Sequence, residues 1–144
     1  MIVPEGISLI QLVAFAKKNI KINGWDSLKG WRVAYIRGGE IVKTRIDQYL
    51  IEGYELNSSE LAIKFLDADR TDIIIGNRLI FNLAIEKYSN TNQIKEVGIF
   101  DEDSASFIYL NKRFEKYVIT ISKAIRTLRE DGTLKGILLK LQRE

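Results

Sequence analysis

The residues best suited to hold a small ligand follow the apolar run 33–36. Arg37, Gly38, Gly39 and Glu40 form a glycine turn that is predicted to open a helix. Such a turn presents backbone N–H groups to an anion, and Gly39 can donate its N–H while allowing close backbone approach. Arg37 can pair with a carboxylate or phosphate through two parallel hydrogen bonds. The alternative is a purely structural turn, with an exposed arginine and a glutamate that is favourable to the helix dipole.

A second segment repeats this pattern. Residues 73–75 are three consecutive isoleucines, and Gly76 and Asn77 follow them. In an open α/β sheet, ligands bind outside the carboxyl ends of the strands, so the turn at Gly76 and Asn77 is predicted to line the same site as Arg37. Asn77 can equally be the N-cap of the next helix. Asp72 precedes the strand and is interpreted as a structural residue.

The chain has no cysteine and no histidine among its 144 residues. Thiol nucleophiles, thiolate metal sites and imidazole bases are excluded, and we expect no cofactor and no metal. Residues 101–103 are acidic, but they lack the glycine and terminal glutamate of an EF-hand loop, so a solvated loop is expected. An enzyme that uses the carboxylates of Asp72 and Glu40 stays open as an alternative.

Alternating strands and helices must position these residues. Apolar periodicity predicts strands over 32–36, 72–75 and 94–100, helices over 40–51 and 79–88, a return strand at 106–110, and final helices over 113–129 and 133–143. Gly53 is interpreted as the stop of the first helix, and Asn57 with Glu60 as a capping box for a short helix. Residues 7–16 are apolar but shorter than the roughly 20 residues that span a bilayer, so a buried crossover segment is predicted. This alternation is typical of the α/β class.

Three motifs occur in order along the chain. The pattern W-x-x-L-K-G-x-x-V-x-Y-x-x-G is matched by Trp25, Leu28, Lys29, Gly30, Val33, Tyr35 and Gly38. Asp72 supplies an acidic residue at the start of a later strand. The pattern L-x-x-D-G-T-L-x-x-I is matched from Leu128 to Ile137. Together these motifs resemble the second lobe of the periplasmic solute-binding proteins of ABC importers, family 3, whose members bind polar amino acids and similar solutes.

The resemblance implies a fold and a set of roles. It implies a type II periplasmic-binding-protein-like α/β lobe, with a mostly parallel sheet flanked by helices and a C-terminal helical pair. Arg37, Gly38, Gly39 and Glu40 would occupy the turn that faces a ligand carboxylate. Asn77 stands where amino-acid binders of the family place an aspartate for the ligand ammonium. An amide contributes no net charge there, which argues against an ordinary α-amino acid as ligand.

The resemblance also implies a domain organisation. It divides the chain into a crossover segment (1–24), lobe two (25–100), and a return strand with C-terminal helices (101–144), and lobe one is expected to be absent. Apolar surfaces that lobe one covers in the family would then favour a homodimer.

The function implied is that of a non-enzymatic periplasmic solute-binding component of an ABC importer. It would bind a small polar, amino-acid-like solute and deliver it to a membrane permease. The alternative is an extracytoplasmic ligand-sensing domain of a signalling protein, in which the partner is a sensor module. The sequence of this lobe does not separate the two.

The charge of the chain is mildly positive and unevenly distributed. The net charge is +3, and residues 112–144 carry nine Lys/Arg against four Asp/Glu. These charges alternate with Val118, Ile121, Ile125 and Leu128 at helical spacing, as they do on a helix with one solvated face. A solvated face is therefore favoured over nucleic-acid binding.

Overall fold

The computed structural model of the chain describes residues 2–4, 6, 8–106 and 108–141. Contacts divide the chain into two compact units, one spanning Gln11–Glu102 and the other comprising Met1–Ile10 and Asp103–Glu144. The first unit carries most of the sheet and all the predicted ligand-binding residues, and the second carries the C-terminal helices.

A five-stranded sheet is the frame of the larger unit. Its strands are β1 (Ser8–Ala16), β2 (Val33–Ile36), β3 (Gly53–Leu56), β4 (Ile73–Asn77) and β5 (Lys95–Ser106). They lie in the order β3-β2-β4-β1-β5. Strand β2 is parallel to β3 and β4, whereas β1 is antiparallel to β4. The α/β prediction is confirmed, and the sheet is mixed because the apolar crossover segment enters it as β1.

Three helices follow the parallel strands: α1 (Glu40–Gln48), α2 (Ser59–Asp67) and α3 (Arg78–Tyr88). The helix predicted over 40–51 ends early, because Leu50 adopts a left-handed φ of 55° and turns the chain. Gly53, interpreted as a helix stop, is instead the first residue of β3. This strand escaped prediction because its first three residues are all exposed, which gives no apolar alternation.

The N-terminus of α2 is capped by Ser58. Its Oγ accepts a hydrogen bond from the N–H of Leu61 at 3.2 Å. The capping box predicted from Asn57 is therefore wrong by one residue. Glu60 is bonded instead to Lys64, one helical turn further along, at 2.6 Å.

The hydrophobic core of the larger unit lies between the sheet and helices α2 and α3. It consists of Val13, Phe15, Ala34, Leu56, Ala62, Ile63, Leu66, Ile74, Phe81 and Ala84. Helix α1 packs on the opposite face, since a Cβ on Gly53 would meet both Ile46 of α1 and Tyr35, the strand neighbour of Ala34. Helices thus cover both faces of the sheet, as central strands rich in isoleucine require.

Two predictions near the end of β5 need correction. The acidic residues 101–103, expected in a solvated loop, lie within β5, because this strand extends the sheet as far as Ser106. The return strand predicted at 106–110 is reduced to a short antiparallel pairing, in which the N–H of Val3 donates to the oxygen of Ile108 at 2.8 Å. Tyr109 forms a bridge with Ile2, and Phe107 lies outside the described residues.

Both predicted C-terminal helices are present in the smaller unit. A 3-10 turn at Lys112–Tyr117 leads into α4 (Val118–Glu130), which is followed by α5 (Thr133–Leu141). Gly132 separates them with a φ of 82°. The carboxylate of Asp131 accepts the N–H of Thr133 at 2.9 Å and so caps α5. The last predicted positions, 142 and 143, lie outside the described residues.

Candidate ligand-binding site

The parallel register brings the predicted site residues to one edge of the sheet. Tyr35 of β2 lies opposite Ile75 of β4, and Ile36 lies opposite Leu56 of β3. The chain leaves all three strands at this edge and enters α1, α2 and α3, so three helix N-termini point the same way. We call residues 37–40, 57–59 and 76–78 the carboxyl edge.

The glycine turn of the carboxyl edge leaves fewer N–H groups available to a ligand than the sequence suggests. Gly38 has a φ of 89°, a conformation that a side chain would strain. The N–H of Gly39, predicted to face a ligand, donates instead to the oxygen of Ile36 at 3.0 Å. Among the described residues, none accepts the N–H of Glu40 or Ile41. The donors available to an anion are therefore the first N–H groups of α1, one step beyond the predicted position.

Arg37 is paired within the chain. Its Nε lies 3.0 Å from the Oε1 of Glu55, and the two side chains are 70% and 30% exposed. Burial and the nearby carboxylate of Glu55 both raise the pKa of Tyr35, which lies opposite Glu55 in the strand pair. The sequence does not predict a role for Glu55, because it does not predict β3. That Glu55 can reach Arg37 becomes evident only once the register between β2 and β3 is known.

Asn77 serves as the N-cap of α3. Its Oδ1 accepts the N–H of Leu79 at 2.9 Å and that of Ile80 at 3.4 Å. The capping alternative is thus present in the structure. Because the amide oxygen is occupied, what Asn77 offers outward is its NH2 group, a donor that is bonded to no other described residue.

Gly76 has a packing role beside its predicted site role. A Cβ at this position would lie 2.2 Å from the Cε2 of Phe81, so glycine lets α3 pack directly against the end of β4.

Arg78, which the sequence analysis did not single out, bonds Glu96 of β5 through Nε at 3.0 Å and also contacts Gln11 of β1. Both arginines of the carboxyl edge therefore already have partners.

Asp72 lies at the opposite edge, before β4 begins. Its carboxylate accepts hydrogen bonds from Nε of Arg32 at 3.0 Å and from Nζ of Lys18 at 2.7 Å. The Arg32 guanidinium and then the Lys18 ammonium hold the pKa of this carboxyl well below its usual range. A four-residue strand is about 13 Å long, so Asp72 and Glu40 are too far apart to act as a catalytic pair. The structural interpretation of Asp72 accounts for these contacts.

Two further features of the described residues are relevant to function. No group of three or more His, Cys, Asp or Glu side chains in this part of the chain could hold a metal ion. None of the helices described combines the length and apolar character that crossing a bilayer requires.

Comparison with known proteins finds similarity in structure. No protein-family profile matches the sequence, and no curated protein sequence matches it. Among solved structures, the amino acid ABC transporter substrate-binding protein AbpA from Streptococcus pneumoniae, bound to L-arginine, aligns with a TM-score of 0.81 and 16% identity over 96% of this chain. The probable amino-acid ABC transporter extracellular-binding protein ytmK from Bacillus subtilis aligns with a TM-score of 0.77 and 22% identity over 100%.

A histidine kinase sensor domain with similarity to periplasmic binding proteins aligns with a TM-score of 0.76 and 15% identity over 94% of this chain. The alignments cover 60%, 64% and 60% of these three proteins respectively, so the chain spans less than two thirds of their length. What the chain shares with them is the fold, the α/β arrangement of the type II periplasmic-binding proteins.

Proposed function

We propose that this chain forms one lobe of a two-lobed solute-binding protein and that its carboxyl edge is half of the binding cleft. The observation that carries the proposal is the convergence of three strand ends and three helix N-termini at one edge. Helix N-termini present unpaired N–H groups and a positive dipole end, which suit an anionic group of a solute. Arg37, Gly38, Glu40 and Asn77 would surround that group.

The second half of the cleft would come from another lobe. The structural neighbours are longer than this chain, and their additional length leaves room for such a lobe. Closure of two lobes around a solute removes it from water and creates a state that a transporter can recognise. The chain would act by binding and release, without catalysis.

The solute class follows from the donors of the carboxyl edge. The N–H groups of Glu40 and Ile41 and the NH2 group of Asn77 all donate hydrogen bonds, so the group they receive is an acceptor such as a carboxylate. A solute ammonium finds no full counter-charge at Asn77. We therefore propose a small polar, amino-acid-like solute whose carboxylate contacts this lobe and whose amino group, if present, is held elsewhere.

The proposed setting is the periplasm, with an ABC permease as partner and no role for nucleic acid. Neighbours named as amino acid ABC transporter binding proteins support this setting. As an isolated lobe the chain is proposed to form a homodimer, since Tyr109 and Ile119 of the smaller unit are exposed at 74% and 68%. Sedimentation equilibrium that gives a monomer at high concentration would contradict the dimer.

A sensing domain is the second candidate, favoured by the alignment with a histidine kinase sensor domain. Such a domain would use the same carboxyl edge but report solute binding to a signalling module. Sequencing of the full gene separates the two: a kinase or other signalling segment in the same reading frame supports sensing, and an adjacent permease gene supports transport.

Backbone amide NMR of the 15N-labelled chain tests the binding proposal. L-arginine, L-glutamine, acetate and methylamine would be titrated to millimolar concentration. We expect carboxylate-bearing solutes to shift the amide signals of Gly38, Glu40 and Ile41, while the signals of Lys18 and Arg32, at the opposite edge, stay unchanged. Absence of any shift at the carboxyl edge with every solute would refute the proposal.

A further inference from the structure

The ion pair of Arg37 and Glu55 lies on the same side of the sheet as Asn77. Tyr35 and Glu55 are opposite each other in the β2–β3 pair, and Arg37 continues the ladder, since its N–H donates to the oxygen of Leu56 at 2.8 Å. Alternation along the strands places Arg37 and Glu55 on one face, and the register of β2 with β4 places Asn77 on that face too. Because Arg37 belongs to the carboxyl edge, its partner Glu55 lies directly beside the proposed cleft.

We propose that Glu55 is a specificity-determining residue, which selects against solutes of net negative charge. The inference rests on the proposed function, because it assigns a selective role within that same site. By pairing with the Nε of Arg37, Glu55 balances the charge of the guanidinium that would otherwise attract a solute carboxylate. A second, side-chain carboxylate on a solute must displace Glu55 or lie beside it.

The charges of the carboxyl edge support this selection. Arg37 and Glu55 cancel each other, Arg78 is bonded to Glu96, and Glu40 stands exposed at the start of α1. Asn77 adds no charge. At this edge an anionic solute finds arginines that are already paired and an exposed, negatively charged Glu40. Repulsion between a solute and a site of the same charge is one way in which a binding site rejects a competitor.

The pair is suited to a selective role because the fold does not depend on it. Both side chains reach solvent, and the pairing uses one hydrogen bond, from Nε to Oε1. Exposed ion pairs of this kind contribute little to stability. Replacing Glu55 by the isosteric glutamine should therefore leave a folded protein in which the charge of Arg37 is no longer balanced and can attract a carboxylate.

Glu52 provides a matched control. It also lies on the sheet edge formed by β3, but at the start of that strand, and its carboxylate is bonded to the hydroxyl of Tyr54. Removing its charge changes the net charge of the protein by the same amount as Glu55→Gln does. Any effect of net charge alone would appear in both variants.

The test measures dissociation constants of L-arginine, L-glutamine and L-glutamate by titration calorimetry or NMR for the unaltered chain, Glu55→Gln and Glu52→Gln. We expect Glu55→Gln to shift the glutamate-to-arginine affinity ratio toward glutamate by about fivefold, the effect of one unit charge at about 4 Å in a water-like dielectric. Glu52→Gln should leave the ratio unchanged. Glu55→Asp should keep the original ranking of the three solutes.

The outcomes separate the inference from the proposed function. If the unaltered chain binds a solute at the carboxyl edge but Glu55→Gln leaves the ratio unchanged, the selective role is wrong and the binding function stands. If both glutamine variants shift the ratio equally, the cause is net charge and the selective role is also wrong. If no solute perturbs the carboxyl edge of the unaltered chain, the proposed function is wrong and the selective role falls with it.

Discussion

Replacing Asp72 with asparagine should destabilise the larger unit substantially. This carboxylate is 8% exposed and joins the segments before β2 and β4 to the end of β1. One oxygen accepts from Nζ of Lys18 at 2.7 Å and from Nη2 of Arg32 at 3.1 Å. The other accepts from Nε and the backbone N–H of Arg32 at 3.0 and 3.1 Å. Asparagine keeps one acceptor oxygen and turns an NH2 group toward donors.

The loss of stability expected for Asp72→Asn can be bounded from these contacts. Hydrogen bonds to charged groups contribute about 1.5–3 kcal/mol each, and leaving a buried charge without its partner costs about 3–5 kcal/mol. Here the two cations remain half exposed, so water replaces part of the lost interaction. We therefore expect Asp72→Asn to lower the free energy of unfolding by about 2–4 kcal/mol at neutral pH.

The stability difference between the unaltered chain and Asp72→Asn should become smaller in acid. Because Arg32 and Lys18 lower the pKa of Asp72 in the folded state, its contribution to stability is complete above the pKa of the unfolded chain, about 3.9. That contribution is lost as the pH falls below this value. The difference between the unaltered chain and Asp72→Asn should be constant from about pH 5 to 7 and narrow below about pH 4.

Urea unfolding followed by tryptophan fluorescence measures both effects. Asp69→Asn is the matched control, because Asp69 is 70% exposed and its pair with Lys17 at 3.0 Å lies on the surface. Asparagine also tolerates the left-handed φ of 57° at this position. We expect the control to change stability by less than about 0.5 kcal/mol. Equal losses in the two variants would refute the structural role assigned to Asp72.

Three further predictions concern the carboxyl edge. Gly76→Ala should destabilise by about 1–3 kcal/mol in urea unfolding, because its Cβ would overlap Phe81, whereas Gly136→Ala in α5 should not destabilise. Ser58→Ala should cost about 1 kcal/mol in the same assay through loss of the α2 cap. Asn77→Asp should keep the α3 cap but lower the affinity for carboxylate-bearing solutes about fivefold in NMR titrations, because it replaces the NH2 donor with a like charge; an unchanged affinity would place Asn77 outside the solute contact.

Much of the fold could be predicted from local patterns. Strand β2 is an apolar run followed by the turn at Gly38, and β4 is an apolar run that ends in Gly76 and Asn77. Such runs indicate both a buried strand and the point where the chain leaves it. Strand β3 could not be predicted, because it owes its place at the sheet edge to pairing with β2, and its side chains are mostly exposed. A strand held mainly by backbone pairing, with Leu56 as its single buried side chain, leaves little trace in the sequence.

The same division applies to the candidate site. The order of strand, turn and helix was enough to place Arg37 and Asn77 at one edge, since parallel strands end on the same side. Which atoms remain available was not predictable, because it depends on contacts made after folding. Glu55 reaches Arg37 through the β2–β3 register, and the N–H of Gly39 turns back to Ile36 because of the turn geometry.

These contacts have a consequence for affinity. Most of the polar groups that the sequence predicts to contact a ligand are bonded within the chain instead. Arg37 is paired with Glu55, the oxygen of Asn77 caps α3, and the N–H of Gly39 closes a turn. Among the described residues, the donors that remain include the first N–H groups of α1 and the NH2 of Asn77. Hydrogen bonds to such groups compete with water at an open edge and become strong once water is excluded. Tight binding of a solute by this fold therefore requires a second surface that closes over the carboxyl edge, and this lobe alone should bind weakly.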